Sequence, residues 1–200
     1  TVIHRLQQSG KAQVTNFAAA LAVYPPATTV DLVERTSWSC PHGVERWRSA
    51  CGCKVHTDRP SQQDWRAPLR FAVEWLAHEV HGIYDREGRD LPGGSRAFLE
   101  AAGATGPVRG GGDENTARLI EMERGVLRAM SSCGWFFDDI AGLEGRQVLR
   151  YAAHAISLAG AESARLEAGF IAQLGDARSN DPAAGSATDV FRSTFQPTPS

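Results

Sequence analysis

Several things are scarce or missing in this 200-residue sequence, and each absence excludes a class of protein. There is no basic excess: the formal net charge is -2. A non-specific binder of nucleic acid or of an anionic membrane surface would carry one. No apolar run reaches about 18 residues, so no spanning helix is expected. Four cysteines in 200 residues are too few for a disulfide scaffold. No signal-type apolar segment opens the chain, which makes a reducing cytoplasm the default expectation. The first residue is Thr1 rather than Met, compatible with a missing upstream segment or a removed signal peptide. No Gly-x-Ser-x-Gly elbow, phosphate loop or dinucleotide fingerprint occurs. "GPVRGGGDEN" is glycine-rich but follows no strand and reads as a linker. No internal repeat is found.

What is present is an ordinary globular composition, 42% apolar and 22% charged, enough for one domain with a sizeable core. "KAQVTNFAAALAVYPP" predicts a short helix stopped by Pro25 and Pro26. In "TTVDLVERT", Val30, Leu32 and Val33 suit a short strand or an extended lead-in. Gly43 to Ala50 predicts a helical turn or two between Pro41 and Gly52. From Trp65 the period becomes helical, with Leu69, Ala72, Val73, Leu76, Val80 and Ile83 on one face.

Residues 85–114 are rich in Gly, Pro and charge and predict a long flexible connection, with one helical turn at Ser95–Ala102. A second helix is expected over about Glu114–Met130, with Leu119, Met122, Val126 and Met130 inward. A third covers about Gly145–Ala159, burying Val148, Ala152, Ile156 and Ala159. A fourth covers about Glu162–Leu174, burying Leu166, Phe170 and Leu174. The remainder reads as a polar tail over 176–200. The expected class is mainly α: a single helical domain over 1–200, a bundle with long loops and at most a short strand.

Chemistry concentrates in two places. "TSWSCPHGVERWRSACGC", Thr36 to Cys53, holds three of the four cysteines. Cys40, His42, Cys51 and Cys53 are donors that zinc favours, and four of them suit a closed tetrahedral site. Each pair is separated by one residue rather than the usual two to four. Two other readings stand beside the metal. The thiols are reduced and half-buried, packing as small apolar groups, or Cys40 pairs with Cys51 or Cys53, since a Cys51–Cys53 bridge would be strained. Trp38, His42, Arg46 and Trp47 in the same stretch suit carbohydrate recognition, by ring stacking and hydrogen bonds to hydroxyls. The competing reading is that the Trp rings are core and that Glu45 and Arg48 form a solvated pair.

The second place is "MSSCGWFFDDI", Met130 to Ile140. Asp138 and Asp139 are adjacent and do not face each other, so they do not form a self-contained catalytic pair. Either one can cap a short helix at Ile140–Glu144 or line a site completed elsewhere. His78 and His81 on the long helix read as surface histidines.

Two stretches carry a family resemblance. "TSWSCPHGVERWRSACGC", with "WRAPLRFAVEWL" after it, resembles a segment of bacterial glycoside hydrolase family 57-like proteins. It lies there beyond the catalytic barrel, in a region classed as a domain of unknown function. "LIEMERGVLRAMSSCGWFFDDIAGLEGRQVLRYAAHAISLA" resembles the later helical part of the same proteins, and "SNDPAAGSATDVFRSTFQP" the end of it. The resemblance spans most of residues 24–197.

It implies an α-helical bundle that follows an incomplete (β/α) barrel in enzymes acting on α-glucans. Nothing here matches the barrel's motifs, so no catalytic residue is expected in this chain. "SSCGWFF" is similar to the family's Ser-Asp-Trp-Phe type motif. Trp135 stands at the Trp, Cys133 and Gly134 stand where the small and acidic residues would be, and Asp138 or Asp139 is expected to take over the acidic contact. The implied role is an accessory domain completing a substrate groove with Trp38, His42, Arg46, Trp47, Trp135, Asp138 and Asp139. Its partners would be an α-glucan or related polysaccharide and a barrel supplied in cis or in trans. The alternative is a metal-binding structural or interaction module built on Cys40, His42, Cys51 and Cys53, zinc being the metal those ligands suit.

Overall fold

The structure is a computed structural model, and it describes residues 2–58, 60–89 and 114–194. The chain divides into two units, Thr1–Glu34 and Arg35–Ser200.

The first unit holds two short helices, α1 (Val2–Gln8) and α2 (Phe17–Val23). Asn16 caps α2, its side-chain oxygen accepting the Ala19 N–H at 2.9 Å, and so satisfies one of the amides a helix start leaves open. The helix stops before Pro25 and Pro26, as the sequence requires. Neither helix buries a residue. Val30, Leu32 and Val33 are exposed and form no strand. The extended alternative holds.

The second unit is a helical bundle. Its elements are α3 (Arg66–Glu87), α4 (Glu114–Ala129), α5 (Cys133–Phe136), α6 (Leu143–Ser157), α7 (Ser163–Leu174) and α8 (Ala187–Ser193). Helix α3 packs against α7 and α4, and α4 packs against α6. The apolar residues recur at helical spacing, so each helix has one face that leaves water only by facing another helix. Leu69, Val73, Leu76, Val80 and Ile83 of α3 meet Leu119, Met122 and Val126 of α4, Val148, Ala152 and Ile156 of α6, and Leu166, Phe170 and Leu174 of α7 in one core. Each fully buried Leu, Ile or Phe contributes on the order of 1.5–3 kcal/mol.

Two expectations change on contact with the structure. Helix α3 runs through Glu87, three residues into the expected connection. The helical turn expected at Ser95–Ala102 lies outside the described residues. The expected polar tail contains α8. Ser186 and Asp189 close a reciprocal capping box at its start, and Ala187, Val190 and Phe191 go into the core. The Phe191 ring lies 4.8 Å from that of Phe170. No β-sheet forms among the described residues. Two isolated bridges occur, Ser37 with Cys40 and Arg178 with Ser186. None of the described helices is long and apolar enough to cross a membrane.

Candidate metal centre

The loop from Thr36 to Cys53 folds back on itself at Gly43. Gly43 has φ +79, and a side chain there would lie 2.6 Å from the Arg35 carbonyl oxygen, so the turn needs glycine. Ser37 Oγ donates to the Gly43 carbonyl at 2.9 Å, and Gly43 N–H donates to the Cys40 carbonyl at 3.1 Å. A single 3₁₀ turn, Glu45–Trp47, then carries the chain toward Cys51 and Cys53.

The two ligand pairs are thereby brought together. Cys40 Sγ lies 3.9 Å from Cys51 Sγ, 3.7 Å from Cys53 Sγ and 4.0 Å from His42 Nδ1. Cys53 Sγ lies 3.5 Å from His42 Nδ1. All four donor atoms fall within 4.8 Å of one another. A tetrahedral zinc with Zn–S of about 2.3 Å and Zn–N of about 2.0–2.1 Å sets its ligand atoms roughly 3.5–3.8 Å apart. The group therefore has the donor types and nearly the spacing of a closed tetrahedral site. All four cysteines are free, and the sulfur separations are far beyond the ~2.05 Å of a disulfide. Cys133 is exposed and does not belong to the group.

The local field separates the thiols. Burial pushes the Cys40 thiol up. The N–H groups of Arg46 and His42, with hydrogen bonds from Cys53 and His42, outweigh that and bring it down to about 7. Cys53 is raised to about 11, by burial first and then by its neighbours Cys40 and Cys51. Metal binding at such a site displaces the thiol protons.

The loop is docked on the second dense stretch, more than eighty residues away. The Arg46 guanidinium donates from Nε to the Phe136 carbonyl at 3.1 Å and from Nη1 to the Ser39 carbonyl at 3.0 Å. Its Cζ sits 4.1 Å from the centre of the Phe136 ring. The Trp47 indole donates to the Ser132 carbonyl at 2.9 Å. Asp138 accepts the N–H groups of Val55 and His56, each at 2.7 Å. Arg66, at the start of α3, donates to the carbonyls of Cys53 (2.9 Å) and Phe137 (3.4 Å) and to Gln63 Oε1 (2.6 Å). Burial lowers the Arg66 pKa, and the Arg46 charge adds to that. Cys51, Asp138 and Cys53 act in the opposite sense. Helix α5 reaches this position because Gly134 lies against Val148 of α6, where a Cβ would be 2.3 Å from Val148 Cγ2.

A family described as a domain of unknown function (DUF3536) matches residues 92–199. The chain belongs to this DUF3536 family. No curated protein and no solved structure matches it. The DUF3536 match takes in α4 to α8 and with them the docking segment Ser131–Asp139. The Cys40–Cys53 loop lies before it.

Within this DUF3536 chain the expected groove residues separate into two groups. Trp135 is fully buried and donates its indole N–H to the Arg66 carbonyl at 3.1 Å. Arg46 is buried as well. Trp135 ties α5 to α3 and Arg46 ties the loop to the bundle, and buried as they are, neither offers a sugar a free face. Trp38 is 92% exposed, its ring 6.0 Å from Phe136. Trp47 is half-buried and His42 exposed. Asp139 accepts hydrogen bonds from Ala141 N–H (2.7 Å), Ser179 Oγ (2.8 Å) and Asn180 N–H (2.7 Å). It joins the α5–α6 turn to the turn before α8. With Asp138, Asp181, Asn180, Pro60 and Ser61 it lines a cleft of about 260 Å³.

Sequence reasoning passed over Arg66 and Glu123. Arg66 is three residues before Leu69 and seven before Val73, on their buried face, and a charge at an apolar register was the available signal. Glu123 of α4 is buried and paired with His81 Nδ1, so His81 is exposed but bound.

Proposed function

We propose that this chain is a non-catalytic helical module whose Thr36–Cys53 loop is closed on itself by a zinc ion at Cys40, His42, Cys51 and Cys53 and docked in that shape on the bundle. The observation that carries this reading is the mutual spacing of the three sulfurs and the His42 nitrogen. Three thiolates and one imidazole are soft donors of the kind structural zinc sites use. They fill all four tetrahedral positions, leaving none for a reacting water. Zinc there contributes folding free energy by tying Cys40 to Cys53 across the loop.

The test is purification without added metal, with zinc measured per chain and thiols counted before and after chelation. One zinc per chain, with Cys133 alone reacting until a chelator is added, is expected. A chain without zinc, or with all four thiols reacting in the folded protein, would overturn the reading.

The second part of the proposal concerns what the held surface serves. It forms part of the substrate groove of a glycoside hydrolase family 57-like carbohydrate-active protein, alongside a catalytic barrel. The resemblance of the two Cys-containing stretches supports this, and so does the exposed ring of Trp38 beside Phe136. An indole face of that kind stacks on sugar rings. The chain alone is expected to hydrolyse no α-glucan, because this reading places both catalytic carboxylates on the barrel. Tryptophan fluorescence titrated with malto-oligosaccharides, for the wild type and Trp38→Ala, provides the check. Glucan hydrolysis by the isolated chain would sink this part.

A further inference from the structure

Two arginines beside the metal centre are buried with too little carboxylate charge to balance them. Arg46 is 4% exposed and Arg66 is 0% exposed. Among the described residues neither forms an ion pair. Each is held by main-chain carbonyls, one from the loop that carries the ligands and one from the Phe136–Phe137 segment, with Gln63 Oε1 as a further acceptor for Arg66. Arg46 Nη1 donates to Ser39, the residue before Cys40. Arg66 Nη1 donates to Cys53, itself a ligand. Arg46 Nη2 and Arg66 Nε are buried with no hydrogen-bond partner. A buried guanidinium in that state is costly unless a negative charge stands close by. Asp138 is the acid that acts on Arg66, but its oxygens are taken by Val55 and His56, and it brings one charge against two.

We infer that Arg46 and Arg66 are the counter-charges of the metal centre and set the complex that it accepts, a dication with three thiolates and one neutral imidazole. Such a complex carries one net negative charge. Together with Asp138 it balances the two guanidiniums. A neutral complex, with two thiolates and two neutral ligands, leaves one buried cation unbalanced. The arginines therefore act as positioning and specificity residues: they hold the ligand-bearing backbone and favour the third thiolate. This rests on the zinc reading above.

The experiment is a double-mutant cycle read as zinc affinity by competition with a chromophoric chelator. Arg66→Gln removes the charge and keeps an amide donor. Arg66→Lys keeps the charge. Cys51→His turns the centre into a neutral complex. Arg66→Gln is expected to weaken zinc binding about tenfold or more, equivalent to about 1.4 kcal/mol, with Arg66→Lys within about threefold of wild type. Cys51→His is expected to cost about tenfold less affinity in the Arg66→Gln background than in the wild type. A merely structural arginine gives no such coupling to ligand charge.

Equal losses from Cys51→His in both backgrounds would overturn the inference while leaving the zinc reading intact, provided that the wild type binds one zinc. A wild type that takes up no zinc overturns both. If Arg66→Gln does not fold, Arg46→Gln enters the same cycle with the same expectation.

Discussion

Asp138 and Val55 are joined across 83 residues of sequence by a 2.7 Å hydrogen bond from the Val55 N–H to Oδ1, while Oδ2 accepts the N–H of His56. One carboxylate thus satisfies two consecutive main-chain donors just beyond Cys53. Hydrogen bonds to a charged acceptor are worth roughly 1.5–3 kcal/mol, and losing the acceptor leaves its donors unsatisfied. Asp138→Ala is therefore expected to destabilise the chain by about 2–3 kcal/mol. Asp138→Asn should be little better, since its NH₂ group would face one of the two donors. Denaturant midpoints measure the loss, and amide exchange at Val55 and His56 localises it. Unchanged exchange at both amides would show that Asp138 does not hold this segment.

Gly134 sets how closely α5 approaches α6. A Cβ at 134 would sit 2.3 Å from Val148 Cγ2, and overpacking of this kind costs about 1–3 kcal/mol. Gly134→Ala is expected to lie in that range. Val148→Ala removes the clashing methyl, so the double variant should be more stable than the sum of the two single effects implies. Additive effects, measured as unfolding free energies, would place the strain elsewhere.

Much of this architecture is legible in the amino-acid order, for one physical reason. Helices α3, α4, α6 and α7 each need an apolar face, and that need writes Leu69, Val73, Leu76 or Leu119, Met122, Val126 at helical spacing. Helix α8 escapes that logic because seven residues bury only Ala187, Val190 and Phe191; its Ser186–Asp189 capping box was the better signal. The convergence of Cys40, His42, Cys51 and Cys53 could be anticipated from donor chemistry and proximity in the chain. What holds the group in place could not. Trp135 as a buried hydrogen-bond donor and Trp135 as a sugar platform have the same one-letter code, and only packing distinguishes them. The contacts of Arg46 with Phe136 and of Asp138 with Val55 join segments with no pattern in common.

The start of α8 offers a third test. Ser186 Oγ accepts the Asp189 N–H at 3.1 Å, and Asp189 Oδ2 accepts the Ser186 N–H at 2.8 Å. The Ser186 hydroxyl also donates to Asp189 Oδ2 at 2.6 Å, and this bond first, then the Ser186 N–H, holds the Asp189 carboxyl below its usual range. Ser186→Ala is expected to cost about 1 kcal/mol. Because α8 carries Phe191 onto Phe170, the loss should appear as faster proteolysis near residues 186–194 before global unfolding. Cleavage at the wild-type rate would show that the cap is dispensable.

Glu123 supplies the pH dependence. It is 4% exposed on α4, bonded to His81 Nδ1 of α3, and its Oε2 is buried without a partner. Burial raises its pKa, the His81 contact works against that rise, and Asp85 adds to it. Tyr84, beside the pair, is raised as well, by burial and then by Glu123 and Asp85. A carboxyl with a raised native pKa contributes stability below the unfolded value, near 4.5, and loses that contribution as the pH rises through the native value. Glu123→Gln removes the titration and keeps an oxygen for His81. The stability of this variant relative to the wild type should therefore improve steadily as the pH rises from 4 toward neutrality. His81→Ala, which takes away the one contact opposing the rise, should steepen the wild-type loss over the same window. Melting temperatures of the three proteins at unit pH steps decide the matter, and a constant wild-type-to-Gln difference across the window would mean that Glu123 has the same pKa in the folded and unfolded chain.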